Sequence, residues 1–313
     1  MKALSFVRLT WLAGALAVAT VCAHPTAQAL PIPSPVVIDF ETEDDFVTPL
    51  VNGQSVYSTA RPNNVSPNIP FASDTVLEFG ELFRVSSTII GSDGHLGPAI
   101  LDSDPADNPS SGDPDLLVGL GNVLMLHRDE GPNTHMDATY GLVFNNPNDE
   151  ATFTDRGSIV FDFLVPLCRP MTLDLVDIDE NVNVVVVLTD NLGRDRTYLV
   201  PANWTTEIIE SPAGFHTLSL ETLAPQSAAP GATGMPATAF EDMGYDGLHV
   251  TRMEVQFVGS SPSGALDNLV FSTVPEPATQ VLGMAAAACV ALRRRLSRDK
   301  RSRLNWGHAR NPV

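Results

Sequence analysis

A dense group of carboxylates lies about a third of the way along the chain. Five aspartates fall within 14 residues, at Asp102, Asp104, Asp107, Asp113 and Asp115, and proline and glycine bend the backbone between them. Carboxylate oxygens on a curved backbone suit Ca²⁺, which takes about six to eight oxygen ligands in flexible geometry. The spacing departs from the EF-hand loop, because the glycine and glutamate positions of that loop are not filled. The segment therefore predicts either a calcium loop of another type or a solvated acidic loop.

Other residue types that could support catalysis do not form a recognised motif. The sequence contains no Gly-x-Ser-x-Gly nucleophile elbow, no His-Glu-x-x-His metal motif and no phosphate-binding loop. Of the three cysteines, Cys22 and Cys289 fall in the terminal segments, so Cys168 has no partner for an internal disulfide. A carboxylate pair for glycoside hydrolysis stays open, because its separation is a three-dimensional property. We expect a protein that is not an enzyme.

The long segment over residues 30–292 is strongly acidic. It carries eight arginines, no lysine and 36 of the 37 aspartates and glutamates, which gives a net charge of about −28. Nucleic acid is excluded as a partner, because phosphate binding requires clustered lysine and arginine. Charge of one sign destabilises a compact state unless salt, protons or bound cations offset it. Divalent cations, and Ca²⁺ first among them, are therefore the expected cofactors.

Apolar residues alternate with polar ones along much of residues 31–273, which predicts an all-β domain. About 240 residues is a length that a single β-sandwich can occupy. Two stretches rich in proline, alanine or glycine, 60–74 and 224–238, predict mobile insertions. The clearest predicted strands are Val36–Phe40, Val123–His127, Ser158–Val165, Met171–Leu175, Val182–Leu188, His249–Phe257 and Ala265–Phe271.

The first and last of these segments, Val36–Glu41 and Ala265–Phe271, resemble the terminal strands of secreted jelly-roll domains, many of which bind carbohydrate. The resemblance implies that the two strands pair in one sheet of a jelly-roll-like sandwich. It also implies a structural Ca²⁺ between them, held by Asp39, Glu41 and Asp267. Asp39 and Glu41 are two residues apart, which places both on one face of a strand. Ordinary alternation at the surface is the alternative.

The N-terminus has the residue order of a secretory signal peptide. Positively charged residues precede an apolar stretch over 9–21, and the small residues Ala23 and Ala29 follow it. The stretch is too short to span a bilayer as a stable helix. We therefore expect a signal peptide over residues 1–29, cleaved after Ala23 or Ala29, with lipidation at Cys22 as the alternative.

The C-terminus combines a Pro-Glu-Pro tripeptide, an apolar run over 278–292 and three consecutive arginines. Between Val281 and Leu292 the run lacks the polar residues that a core helix would show at a 3.6-residue period, which favours a transmembrane segment. The basic tail over 296–313 is expected to stay in the cytoplasm by the positive-inside rule. The residues that define the pattern are Val274, Pro275, Glu276, Pro277, Arg293, Arg294 and Arg295.

This order over 274–295 resembles the PEP-CTERM sorting signal, although the tail after the arginines is longer than is usual in that family. The resemblance implies that an exosortase, an integral membrane enzyme, recognises the tripeptide. It further implies an inner-membrane-anchored precursor whose processed form reaches the cell surface or the exterior, and an association with exopolysaccharide. Trp204 is the best candidate ring to stack on a sugar. A tryptophan buried in the sandwich is the alternative.

Together these features predict an exported cell-envelope or extracellular-matrix protein, sorted by an exosortase, associated with exopolysaccharide and stabilised by Ca²⁺. The alternative is a secreted carbohydrate-active hydrolase that carries the same sorting tail. A hydrolase would lose activity when one carboxylate of an acid pair is neutralised. A binding protein would instead lose affinity when a contacting ring is removed.

Overall fold

The alternation of burial along the strands follows the apolar residues of the sequence. In the computed structural model, Val184, Val186 and Leu188 are buried, while Val185 and Val187 between them are half-buried. Branched side chains favour extended backbone, because they pack well on a pleated surface. A strand that is apolar on both faces suits the interior of a sheet, and this segment lies there.

The described part of the chain comprises residues 35–56, 79–90, 98–111, 114–127, 134–147, 156–179, 181–206, 214–259 and 263–273. These residues belong to one compact unit, Pro33–Val274. None of them forms a helix long and apolar enough to cross a bilayer. The predicted signal peptide (1–29), sorting signal (274–295), transmembrane segment (278–292) and basic tail (296–313) lie outside the described residues, as do residues 60–74.

The described residues contain strands and no helix, as expected of an all-β domain. The seven predicted strands are confirmed as β1, β4, β7, β8, β9, β13 and β14, with bounds shifted by a few residues. The full set is β1 (Val36–Ile38), β2 (Phe83–Ile90), β3 (Pro98–Asp102), β4 (Asn122–Leu126), β5 (Thr134–Asp137), β6 (Gly141–Phe144), β7 (Arg156–Phe163), β8 (Cys168–Val176), β9 (Val182–Asp190), β10 (Asp195–Val200), β11 (Phe215–Ser219), β12 (Thr238–Glu241), β13 (Val250–Gly259) and β14 (Ala265–Thr273).

The strands form two antiparallel six-stranded sheets and one hairpin. The first sheet has the order β11-β8-β14-β4-β3, and β1 pairs with β14 beside β4 on the edge opposite β8. The second sheet has the order β12-β10-β9-β13-β7-β2, and β5 pairs with β6. In the β1–β14 ladder, Val36 lies opposite Phe271 and Ile38 opposite Leu269. The predicted pairing of the first and last strands is therefore confirmed.

The two sheets share one hydrophobic core, consistent with a β-sandwich. Phe271 of the first sheet lies against rings of the second, with centroid distances of 5.5 Å to Phe163 and 6.3 Å to Phe83. Phe83 also contacts Phe161 at 5.4 Å, edge to face. Aromatic pairs of this geometry add to the stabilisation from burial. The ring of Phe271 therefore contributes to the packing that holds the two sheets together.

The segment between β3 and β4 covers part of the first sheet's other face. Leu116 is fully buried there in a cluster with Leu101, Val123 and Met125. The segment is closed at its base by Ser103, whose N–H donates to the carbonyl of Gly121 at 2.7 Å. The acidic loop therefore has a packing role that depends on its apolar residues.

We expect Phe271→Ala to lower the free energy of unfolding by about 3–5 kcal/mol, because it removes a buried ring and leaves a cavity between the sheets. Phe240→Ala is the control, because Phe240 is 56% exposed on β12 and its loss should cost less than about 1 kcal/mol. Urea unfolding of both variants measures the difference. Equal costs for the two variants would show that Phe271 does not join the sheets.

Candidate cation site at the terminal strands

Strand β14 brings two carboxylates face to face in the first sheet. It pairs with β8 so that Asp267 lies directly opposite Asp174. Like charges at opposed positions destabilise a strand pair. Asp267 is only 1% exposed and Asp174 only 6% exposed. The sheet therefore holds two buried acids at a position where their ionised forms would repel each other.

A break in the strand ladder places an amide between these acids. The β14–β8 register shifts between Asp267 and Val270, and Asn268 has a φ of 47°. Bulges of this kind redirect side chains and often lie next to functional sites. The Nδ2 atom of Asn268 donates to Asp174 Oδ2 at 3.0 Å and to Asp267 Oδ2 at 2.9 Å. One amide group thus bridges the two carboxyl groups.

Two more hydrogen bonds complete the bridge. The Thr217 hydroxyl on β11 donates to Asp174 Oδ1 at 2.5 Å, and the Asn268 N–H donates to Asp267 Oδ1 at 2.7 Å. Buried carboxyl oxygens need such partners, because an unsatisfied buried polar group is costly. The network joins β8, β11 and β14 across the first sheet.

Burial raises the pKa of Asp267 to about 8. The charges of Asp174, Asp39 and Glu41 raise it further, while the hydrogen bond from the Asn268 N–H opposes the shift. A carboxyl group taken out of water disfavours its charged form unless a proton or a cation compensates. Asp267 is therefore the most electrostatically strained acid of this cluster, and the predicted trio Asp39, Glu41 and Asp267 is close enough to interact.

The prediction that Asp39 and Glu41 share one strand face is wrong, although both acids act on the pKa of Asp267. Strand β1 ends at Ile38, and Phe40 has a φ of 57°, so period-two alternation does not extend through these residues. Instead, the Glu41 N–H donates to Asp39 Oδ1 at 3.1 Å. The turn at Phe40, not a shared strand face, sets the positions of the two acids.

Glu41 is held against the backbone that leads into β4. Its Oε1 atom accepts the N–H of Asn122 at 2.9 Å. A Cβ atom on Gly121 would lie 1.9 Å from the same oxygen, and Gly121 has a φ of 86°. Both facts require glycine at that position. The end of the acidic loop is therefore shaped to fit the carboxylate of Glu41.

The carboxyl groups of this cluster have the chemistry that Ca²⁺ requires, but their oxygens do not surround one common point. Asp39, Glu41, Asp174 and Asp267 offer the hard oxygen ligands that Ca²⁺ prefers. Across the described ranges, however, no group of three or more His, Cys, Asp or Glu side chains is arranged to hold a metal ion. The Asn268 amide occupies the position between two of the acids, so a cation would have to displace it or bind beside it.

The aspartates of the acidic loop contact their own backbone. Asp102 Oδ1 accepts the N–H of Asp104 at 2.9 Å, and Asp104 Oδ1 accepts the N–H of Ala106 at 2.8 Å. These are Asx turns, which shape a loop without a metal. Asp107 and Asp115 are exposed, and Asp113 lies outside the described residues.

Two other sequence candidates are buried. Trp204 is 0% exposed and its ring lies 4.6 Å from that of His216, so neither face is open to a sugar and the buried alternative describes it. Cys168 is buried at the start of β8, and burial raises the pKa of its thiol far above the usual range. A thiol of that kind is a poor nucleophile.

Sequence reasoning identified Asp267 but missed Asp174, Asn268 and Thr217. A weak signal existed for Asp174, which lies between Leu173 and Leu175 in a strand and so faces away from their side. Its partners are 43 and 94 residues away along the chain. Strand register, which brings them together, was not readable from the alternation pattern.

No family model and no curated protein matches the chain. Among solved structures it is similar to the agarase AgWH50C, with 13% identity and a TM-score of 0.26 over 38% of this chain and 19% of that one. An exo-beta-agarase has 10% identity and a TM-score of 0.30 over 77% and 26%. A family 11 carbohydrate-binding module from Clostridium thermocellum in complex with a beta-1,3-1,4-mixed-linked tetrasaccharide has 10% and 0.25 over 62% and 85%. The chain spans about a fifth of the length of AgWH50C, and likenesses this weak carry no argument about function.

In the presence of a chelator, we expect the free energy of unfolding to fall as pH rises from about 5 to 8. The pKa of Asp267 is about 8 in the folded state and about 4 when unfolded. Its stabilising contribution is complete below the unfolded value and is lost as pH rises through the folded one, with a slope near 1.4 kcal/mol per pH unit. Urea unfolding at several pH values measures this slope.

Asp267→Asn should reduce this slope, because an amide does not ionise. The slope that remains comes from acids such as Glu43 and Asp44, whose pKa values burial also raises. Asp162→Asn is the control, since its side chain is 45% exposed and its loss should leave the slope unchanged. Burial acts to raise the pKa of Asp190, but its hydrogen bonds together lower it, and hydrogen bonds also lower the pKa of Asp246. The contributions of these two acids change only at acid pH, so they do not interfere in this window. A flat profile for the unmodified protein would contradict the buried, protonated state of Asp267.

Proposed function

We propose that this chain is a non-catalytic, exported protein of the cell envelope or extracellular matrix, associated with exopolysaccharide and stabilised by Ca²⁺. Its ends support export, because residues 1–29 have the order of a signal peptide and 274–295 resemble a PEP-CTERM signal. An exosortase would act on the Pro-Glu-Pro tripeptide of an inner-membrane-anchored precursor. The processed domain would then reach the surface or the exterior.

The observation that carries the calcium proposal is the buried pair Asp174 and Asp267, with Asp39 and Glu41 close enough to raise the pKa of Asp267. A domain with a net charge of about −28 gains stability when a cation neutralises such a cluster. Extracellular modules bind Ca²⁺ with dissociation constants of about 0.1–1 mM, which suits an exported protein. Asp39, Glu41, Asp174 and Asp267 would hold the ion.

A jelly-roll topology is the finer form of the fold that we propose. The pairing of β1 with β14 supports it, since the ends of the domain lie side by side in one sheet. The six-stranded antiparallel sheets around one core fit the same architecture. The domain would serve as a stable module presented outside the cell.

A non-catalytic role is favoured over a hydrolase by the state of the buried carboxyl pair on β8 and β14. Asp174 and Asp267 are both buried and are bridged by the amide of Asn268. Retaining and inverting glycosidases need two carboxyl groups on opposite sides of an accessible sugar. The hydrogen bonds of this pair instead join strands β8, β11 and β14.

Ca²⁺ should raise the thermal midpoint of the full chain by several degrees at millimolar concentration, while Mg²⁺ at the same concentration should not. Binding to the folded state alone stabilises it by mass action, and Mg²⁺ dehydrates reluctantly and demands stricter geometry. Calorimetry of the protein in detergent, near pH 7, measures the shift.

Two variants locate the ion. Asp267→Asn should abolish the shift, because it removes the central carboxylate. Asp104→Asn is the matched control in the acidic loop and should retain it, because that carboxylate binds its own backbone. Loss of the shift in Asp104→Asn alone would move the ion to the acidic loop. An equal response to Mg²⁺ would reduce the effect to charge screening.

Replacement of Pro275 and Pro277 by alanine should make the full-length precursor accumulate in the inner membrane of a host that contains an exosortase. The tripeptide would no longer be recognised, whereas the apolar run and arginines would still retain the chain. Cell fractionation with mass measurement of the C-terminus gives the result. Alanine at Pro225 and Pro230, two exposed prolines of the exported domain, is the control. Unchanged processing of the Pro275 and Pro277 variant would contradict exosortase sorting.

A further inference from the structure

A cleft of about 340 Å³ is lined by residues of both sheets. Its floor includes the buried side chains of Leu188 on β9 and Leu220 after β11. Arg169 at the start of β8 and Arg196 on β10 form its polar walls. The volume is at the lower end of the range for small-molecule sites in proteins, about 300–1,000 Å³. The cleft therefore fits a small ligand or the end of a larger one.

Arg196 is fixed in position on one side of the cleft. Its Nε and Nη2 atoms donate to Glu241 Oε2 at 2.8 and 2.6 Å, and Nη1 donates to the carbonyl of Leu220 at 3.3 Å. The guanidinium also lies over the ring of Tyr245, 4.6 Å from its centre. Such fixation lowers the entropy that is lost when a ligand binds.

Arg169 is the more accessible of the two arginines. Its Nη2 atom lies 2.6 Å from Glu221 Oε1, and the two side chains are 47% and 32% exposed. This ion pair uses one guanidinium nitrogen and one carboxylate oxygen of two partly exposed side chains. Nearby, the hydroxyl of Tyr245 is buried and has no hydrogen-bond partner within the described part of the chain.

The charges select against an anionic ligand. Arg169 contacts Glu221 and Arg196 contacts Glu241, so each guanidinium is already neutralised by a carboxylate. The surrounding domain, with its net charge of about −28, would also repel an anion. What remains is a set of closely spaced donors and acceptors with little net charge. A hydroxyl group matches such a set, because it donates and accepts at once.

We propose that this cleft binds a neutral saccharide, with hydroxyl groups contacting Arg169 and Glu221 and the apolar ring face packing on Pro170 and Leu248. The inference deepens the proposed association with exopolysaccharide and rests on it. Leu248 is 47% exposed at the rim and Pro170 lines the inner wall. The cleft thus combines polar groups that can contact hydroxyls with two apolar side chains that can contact a ring face. Only the end of a chain, or a short branch, would enter a cleft of this volume.

Saturation-transfer NMR of the full chain in detergent tests the cleft. The probes are neutral trisaccharides of glucose, galactose and mannose, with trigalacturonate as the charged counterpart. We expect transfer to at least one neutral trisaccharide, and an affinity lowered about tenfold or more by Arg169→Gln, since a charge-assisted hydrogen bond is lost. Glu221→Gln should weaken binding as well and provides the test if Arg169→Gln does not fold.

Arg252→Gln is the matched control. Its side chain is 40% exposed and lies 3.5–3.6 Å from Glu254 and Asp162, so it resembles the Arg169 pair in exposure but lies outside the cleft. Its affinity should equal that of the unmodified protein. No binding of any neutral trisaccharide, stronger binding of trigalacturonate, or equal loss in Arg252→Gln would each overturn the proposal.

Co-sedimentation with exopolysaccharide isolated from the producing cells distinguishes failure of the cleft as the binding site from failure of the association itself. If the unmodified protein sediments with the polymer and Arg169→Gln and Glu221→Gln do so equally, the association stands and the cleft is overturned as its site. If the unmodified protein does not sediment at all, the association itself fails. Loss of sedimentation in the two cleft variants, with retention in Arg252→Gln, supports both.

Discussion

The first sheet depends on the position of β14, the last strand, between β8 on one side and β1 and β4 on the other. This strand supplies Phe271 to the core between the sheets, and it also places Asp267 opposite Asp174 in a buried site. The apolar contacts favour the arrangement, whereas the two acids oppose it once they are ionised. Both effects come from one strand register, so the register that packs Phe271 into the core also places Asp267 opposite Asp174.

The structure meets that constraint with a local departure from regular strand geometry. The shift at Asn268, with its positive φ, turns one amide to both carboxyl groups, and Thr217 of the neighbouring strand satisfies a further oxygen. Buried polar groups are stable only when they are hydrogen-bonded, so this network lowers the cost of burial without removing the charge. The charge itself needs a proton or a cation. The high pKa of Asp267 favours the bound proton at neutral pH. Ca²⁺ from outside the cell would be the alternative source of positive charge.

Much of the fold could be predicted from sequence, because long strands with a buried face have a clear period. Strands β7, β9 and β13 carry continuous Val, Ile and Phe patterns, whereas short strands such as β5, β6 and β12, of four residues each, give almost no signal. The stretch 224–238, expected to be a mobile insertion, is instead closed by a bridge between Gln226 and Ala237. The site was harder to predict, because Asp174 and Asn268 meet only through register and a bulge. Neither feature follows from alternation along a single strand.

The two proposed sites share one scaffold, the antiparallel ladder of β8 and β11. Asp174 lies opposite Thr217 at the centre of this ladder. Where the ladder ends, the Leu220 N–H donates to the carbonyl of Met171, and the ion pair of Arg169 and Glu221 lies next to this bond along the two segments. A displacement of β8 relative to β11 would therefore alter both the carboxyl network and the wall of the cleft. Neutralisation of Asp267 stabilises the pairing of β14 with β8, and β8 is the strand that carries Arg169. A proton or a cation at Asp267 would therefore stabilise the same strand that forms one wall of the cleft.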